Sequence, residues 1–182
     1  MSIQAVHNLN IFLGLGAIAL QVFSVAILLV FFFGPKKNTF LNFIDKYFLA
    51  IGFLISLFAT MFSLVYSEIV GFLPCVLCWW QRVFLFPQVF IFGVALFQKE
   101  KRAMQYSFPL ILVGSVIALY QTVIYYISDS ANIPCDASGV SCYQHLVSLF
   151  GGYISIPSLS ITAFLSLLVL ISVVYFYGKR EQ

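Results

Sequence analysis

Four cysteines fall as two close pairs, and the first pair sits in the most chemically loaded stretch of the chain, P-C-V-L-C-W-W-Q-R at 74–82. Cys75 and Cys78 make a C-x-x-C. At helical i, i+3 spacing both sulfurs share one face, near enough to bond. Pro74 suits the first turn of a helix, where its missing N–H costs nothing. Both cysteines then lie at or near a helix N-terminus, whose unpaired N–H groups and dipole stabilise a thiolate. A thiolate attacks a disulfide or an electrophilic ring. Arg82 follows Cys78 by four residues, one turn deeper on the same face. Its charge favours the thiolate, and its N–H groups could bind a quinone carbonyl and stabilise charge developing on the oxygen. The plainer reading is that Arg82 snorkels to lipid headgroups.

The second pair, Cys135 and Cys142, lies in I-P-C-D-A-S-G-V-S-C at 133–142. Asp136, Ser138 and Gly139 are turn formers, so this is a small loop that a disulfide could close. An exposed disulfide there is open to an incoming thiolate; alone, it could equally be a structural staple. Four cysteines also have the ligand count for zinc. A cation beside the first pair disfavours a second positive centre, and no metal is expected. His7, His145 and Glu68 read as solvated or interfacial side chains. Tyr120 and Gln121 could line a ligand site or simply bond a neighbouring helix. Trp79 and Trp80 fit an interfacial aromatic belt. Pro87, inside the same helix as Arg82, either opens space for a ring or only kinks the helix.

The elements that position these groups follow from composition. Of 182 residues 62% are hydrophobic and 8% charged, with 21 Phe and 10 Tyr. A soluble domain carries about 25% charged residues, so the solvent must be lipid. With nine basic residues and a net charge of +3, nucleic acid is not an expected partner. Five apolar stretches reach the roughly 20 residues a helix needs to span a bilayer: about 9–33, 47–67, 75–97, 105–127 and 157–177. They predict an all-α polytopic membrane protein, one integral domain over 1–182, with no soluble domain and no internal repeat. The first stretch reads as a plain anchor rather than a cleaved signal peptide, having no basic region before it.

Basic residues orient the spans. Lys36, Lys37, Lys46, Lys99, Lys101, Arg102, Lys179 and Arg180 fall on one side if five helices alternate; segments 1–8, 68–74 and 128–156 contain no Lys or Arg. The positive-inside rule then puts the N-terminus outside, the C-terminus in the cytoplasm and both cysteine pairs on the outer side. In bacteria that side is oxidising, so disulfides persist there.

At these residues the chain resembles the DsbB/BdbC family of membrane disulfide-bond formation proteins. P-C-V-L-C-W-W-Q-R is close to that family's P-C-x-L-C-x-x-x-R, and the likeness continues through I-P-C at 133–135, Cys142 and I-P-S-L-S at 156–160. It covers roughly residues 47–177. The resemblance implies a four-helix bundle over 47–177, with an outer cysteine loop at 128–156, in a bacterial inner or cytoplasmic membrane. It also implies a thiol:quinone oxidoreductase fed by the quinone pool, ubiquinone or menaquinone. Arg82 would help hold the quinone, with Gln121 beside it. Cys78 would engage the quinone ring, and Cys135 would form the mixed disulfide with a thioredoxin-fold thiol oxidase, DsbA- or BdbD-like. Cys75 and Cys142 complete the two pairs. The chain departs from the family in its additional N-terminal helix over 9–33 and its short second cysteine loop. It also has Tyr120-Gln121 where Tyr-His is usual.

Two rivals have distinct signatures. A vitamin K epoxide reductase-like enzyme would carry its C-x-x-C after the loop pair, not before it. A disulfide-stapled membrane scaffold or transport subunit would need neither Arg82 nor a labile loop bond.

Overall fold

A computed structural model describes residues 3–35, 38–127 and 153–180. Cys135, Cys142 and His145 lie outside the described residues, as do Lys36 and Lys37. Five helices follow in chain order: α1 (Ile3–Phe33), α2 (Thr39–Leu64), α3 (Val76–Gln98), α4 (Ala103–Ile127) and α5 (Ile156–Arg180). Among the described residues, these five are long and apolar enough to cross a membrane. Each is apolar nearly all round, the pattern of a span rather than a surface helix. The protein is an all-α polytopic membrane protein.

Helices α2, α3, α4 and α5 close a four-helix ring, and α1 packs outside it, chiefly on α5. Lipid tails are as apolar as leucine, so these helices are held by close packing and interhelical hydrogen bonds. Phe48, Phe92, Phe164, Ile111, Leu167 and Leu170 fill the interior. Two glycines set how closely helices approach: a Cβ at Gly52 would lie 2.8 Å from the Phe92 ring, and one at Gly114 would collide with Phe164. Trp79, Trp80, Phe90, Phe97 and Tyr106 face outward, where lipid and its interface take them up.

Polar ties fix α1 to the ring. Gln21 donates to Thr162 Oγ1 at 2.8 Å, Ser24 to Ser166 Oγ at 2.9 Å, and Tyr66 on the turn after α2 to Asn10 Oδ1 at 2.6 Å.

Two helix starts differ instructively from the hydropathy reading. α2 begins at Thr39 rather than near 47, because Asn38 caps it: its side chain accepts the Phe40 N–H at 2.9 Å. The polar first turns persist because they find partners, Asn42 accepting from Tyr177 at 2.6 Å and Asp45 pairing with Lys101 at 2.7 Å. α3 begins at Val76, so Cys75 is its N-cap and Pro74 precedes the cap instead of lying in the first turn. α5 opens with a reciprocal cap: Ser158 Oγ accepts the Ser155 N–H at 2.8 Å and Ser155 Oγ accepts the Ser158 N–H at 3.3 Å. Pro157 sits harmlessly in that first turn.

The link from α2 to the cysteines is tight. α2 runs into one turn of π-helix, Val65–Ile69, and Gly71 reverses the chain at φ 85. A side chain at that φ would be strained. Phe72, Leu73 and Pro74 then lead straight into Cys75.

Candidate functional site

The N-terminal end of α3 places the two cysteines together. Cys75, the cap, is buried, while Cys78 in the first turn is half-buried; both are free thiols, their sulfurs 3.0 Å apart. Only the first turn of a helix offers unpaired N–H groups to such a pair. The Cys75 carbonyl accepts the Trp79 N–H at 3.1 Å and so starts the helix.

Arg82 lies one turn below Cys78 and is 7% exposed. It does not reach outward to the headgroups. Its Nε donates to Ser63 Oγ at 3.0 Å and an Nη to the Ser63 carbonyl at 2.8 Å, both on α2. Its guanidinium also lies 5.2 Å from the centre of the Trp79 ring. Among the described residues no carboxylate comes within ion-pair distance of it. A guanidinium has five N–H donors, so bonding through Nε and one Nη leaves donors over for another acceptor.

On the other side of the sulfurs stands Gln121 of α4, itself buried. Its amide nitrogen lies 3.5 Å from both Cys75 Sγ and Cys78 Sγ. Its orientation is fixed from behind, since Gln81 donates to Gln121 Oε1 at 2.6 Å and Ser160 of α5 donates to Gln81 Oε1 at 2.6 Å. Three helices thus aim one amide at two sulfurs. Buried amides bonded in series hold each other's orientation and strengthen each other.

These groups open onto a cavity of about 490 Å³, within the range of small-molecule sites. Cys75, Cys78, Gln81, Arg82, Gln121 and Ser160 line its polar end; the rest of the lining is mostly Leu, Ile, Phe and Ala from α1, α2 and α5.

The structure therefore gathers four of the residues singled out in the sequence: Cys75, Cys78, Arg82 and Gln121. Tyr120 is separated from Gln121 and turns outward, 58% exposed. Glu68 is exposed and bonded to Ser67, and His7 is exposed. Pro87 lies below the cavity, whose α3 lining stops at Leu85. Three neighbours had no such prominence in the sequence: Ser63, Gln81 and Ser160. A polar residue within an apolar span is the signal that marks them, because each must find a partner there. Among the described residues no cluster of three potential metal ligands occurs.

The geometry is that of a reactive thiol pair beside a cation, at the mouth of an apolar cavity. Comparison with known proteins agrees with it. The family model described as "Disulfide bond formation protein DsbB" matches residues 45–174. "Probable disulfide formation protein C 2" of Bacillus cereus is 37% identical over 141 residues, 78% of this chain and 98% of the relative. "Disulfide bond formation protein C" of Bacillus subtilis is 33% identical over 135 residues, 74% of this chain and 96% of the relative. The "SPbeta prophage-derived disulfide bond formation protein B" of Bacillus subtilis is 37% identical over 123 residues, 68% of this chain and 81% of the relative. No solved structure matches the chain. With a family model spanning most of its length and relatives aligned nearly end to end, the chain belongs to the DsbB family of disulfide bond formation proteins.

Proposed function

We propose that the protein reoxidises an extracytoplasmic thioredoxin-fold thiol oxidase and passes the electrons to a membrane quinone. The observation that carries this reading is the junction of a C-x-x-C at a helix N-terminus with a buried Arg82 that has no carboxylate partner among the described residues, both opening onto an apolar cavity. A structural disulfide needs neither the cation nor the cavity. The residues present fit a quinone: Arg82 and the amides at one end suit carbonyl oxygens, and the apolar remainder suits a hydrocarbon tail. Ubiquinone and menaquinone both meet that description.

The cycle runs through the two cysteine pairs. The partner's thiolate attacks the Cys135–Cys142 disulfide at Cys135, forming a mixed disulfide and releasing the Cys142 thiolate. The partner's second thiol displaces Cys135, so the partner leaves oxidised and the loop pair is left as two thiols. Exchange with the Cys75–Cys78 disulfide restores the Cys135–Cys142 bond and leaves Cys75 and Cys78 reduced. A bound quinone supplies the acceptor for the two electrons and two protons given up as Cys75 and Cys78 join again.

Within the chain each group has a task. Cys78 is the attacking thiolate: it faces the cavity, with the helix N-terminus around it and the Arg82 charge beneath it. Cys75, buried behind it at 3.0 Å, is the resolving thiol. Arg82 neutralises charge as it develops on an acceptor oxygen. Gln121 donates toward whichever sulfur is anionic.

The distribution of basic residues puts the cysteine end on the outer side of a bacterial cell membrane and the C-terminus in the cytoplasm. There the Cys135–Cys142 loop meets the partner and the bilayer delivers the quinone.

The assay is quinone reduction by the purified protein with a reduced thioredoxin-fold partner. Cys78→Ser should lower turnover by more than about 100-fold, since it removes the attacking thiolate and leaves only the resolving thiol Cys75, buried behind it. Undiminished turnover in Cys78→Ser would refute the mechanism.

A further inference from the structure

The family model begins at residue 45, so α1 lies wholly outside it. Yet α1 is not a bystander to the site. Phe12, Leu13, Gly16, Ala17 and Leu20 all line the cavity that holds Cys78 and Arg82. Opposite them on α2 are Leu54, Ile55, Phe58 and Ala59.

The two helices meet at the upper end of this stretch, at Phe12, and again below it, but not between. Above, Tyr66 donates to Asn10 at 2.6 Å, and the rings of Phe12 and Phe62 lie 6.3 Å apart. Below, Phe23 meets Phe40 edge-on at 6.4 Å. Between these contacts the helices stand apart. Phe12, Leu54 and Phe58 remain 66%, 48% and 54% exposed, so the cavity opens sideways toward lipid. Gly16 sits in this gap, and a Cβ built on it meets nothing within 4 Å among the described residues. Glycine inside a helix is unfavourable relative to alanine. Neither a turn nor a close helix contact accounts for it here, whereas Gly52 and Gly114 each make room for a phenylalanine.

We propose that the α1–α2 gap is a lateral window that seats the hydrocarbon tail of the quinone, with Gly16 keeping it open. This rests on the quinone reading above and deepens it: α1 is the tail-specificity element of the cavity. The polar ring meets Arg82 and the amides, the tail leaves between α1 and α2, and the hydrogen bonds of Gln21 and Ser24 to α5 hold α1 in place as the far wall.

The test compares a long-tailed isoprenoid quinone with a tail-less quinone bearing the same ring. Gly16→Leu builds into the window from a position whose Cβ has open space around it, and leucine is a good helix former. The ratio of kcat/KM for tailed over tail-less quinone should fall about tenfold in Gly16→Leu and by a smaller factor in Gly16→Ala. Gly178→Leu supplies the control, because Gly178 is also open at its Cβ but lies at the far end of α5. Its ratio should match that of the unaltered protein. Binding gives a second readout: Trp79 stacks on Arg82 beside the cavity, so quenching of tryptophan fluorescence reports ring occupancy. The ratio of the two Kd values should move as the kinetic ratio does. An unchanged ratio in Gly16→Leu, or an equal loss for both quinones, would overturn the window. If the unaltered protein reduces and binds neither quinone, the quinone reading falls and the window with it, a result distinguishable from an altered ratio.

Discussion

The two ends of the bundle handle positive charge in opposite ways. At one end Lys99, Lys101 and Arg102 stand between α3 and α4 and Lys46 lies exposed in the second turn of α2, all with water and lipid headgroups in reach, and Lys101 meets Asp45 at 2.7 Å. At the other end Arg82 is a lone cation among the described residues, buried, with the hydroxyl and carbonyl of Ser63 and the Trp79 ring beside it. A charged group within a span costs about 2.5–3.5 kcal/mol at the bilayer centre, and neutral acceptors compensate a cation less fully than a carboxylate does. The basic end uses charge where it is cheap, to fix orientation. The cysteine end tolerates a charge that no carboxylate among the described residues compensates, and on the proposed mechanism the compensation is an anion formed during the reaction, on Cys78 or on the acceptor.

Removing the costly charge should therefore have the largest effect. On the proposed mechanism Arg82→Ala takes away the donor to the acceptor oxygen and the charge favouring the Cys78 thiolate. A hydrogen bond to a charged group is worth about 1.5–3 kcal/mol, so the apparent kcat/KM for quinone should fall by roughly 10- to 100-fold. Arg82→Lys keeps the charge but loses the fork that bonds Ser63 twice, and should recover only part of that loss. Thiol exchange with the reduced partner, followed without quinone, separates the two contributions: an Arg82→Ala defect confined to quinone turnover assigns Arg82 to the acceptor, and an equal defect in both assigns it to the thiolate. A variant as active as the unaltered protein in both would erase the contrast between the ends.

The amide relay is the next step down. Gln81 touches neither sulfur; it acts by holding Gln121, and Ser160 holds Gln81 in turn. Gln81→Ala frees the Gln121 amide to rotate away from Cys75 and Cys78. One neutral hydrogen bond contributes about 1 kcal/mol, so quinone turnover should slow about fivefold. Because Gln81 positions rather than reacts, a second readout is needed. The reactivity of the pair toward a thiol-alkylating reagent as a function of pH should shift in Gln81→Ala, while melting of the helices moves little. Gln81→Glu tests the same point: a carboxylate can still accept from Ser160 but cannot donate to Gln121 when ionised. A pH profile unmoved in both variants would remove Gln81 from the site.

The contrast between the ends also shows what the sequence could disclose. Five spans, their alternation and the one-sided basic residues were legible because lipid imposes length and composition on every span. Cys75, Cys78 and Arg82 were legible because their spacing on one helix is local. Gln121 was visible as a polar residue in a span, but its aim at the sulfurs depends on Gln81 and Ser160, on the helices before and after its own, and no local pattern encodes that meeting. Ser63 was hidden for the same reason. α1 read as a plain anchor because hydropathy reports only that a helix is apolar. That its Gly16 faces a gap is a property of how α1 leans on α5 and diverges from α2. The early start of α2 was missed because Asn42 and Asp45 look like loop residues until Tyr177 and Lys101 are beside them.

The smallest effect belongs to the basic end. Lys101 and Asp45 meet at good distance, but their side chains are 53% and 28% exposed. Such pairs contribute about 0.2–1 kcal/mol, less in salt. Lys101→Ala should lower the melting temperature only slightly and leave quinone turnover within about twofold, because the charge lies at the opposite end of α3 and α4 from Cys78. The sharper version of the experiment changes sign rather than size. Lys101→Glu sets two carboxylates against each other and removes a charge from the basic end, yet several other basic residues remain on that side to hold the orientation. Cysteine labelling from each side of the membrane should place Cys75 and Cys78 where they are in the unaltered protein. If instead Lys101→Glu abolished quinone turnover while topology stayed intact, charge at the basic end would be coupled to the distant thiols, and the division of labour between the two ends would be wrong.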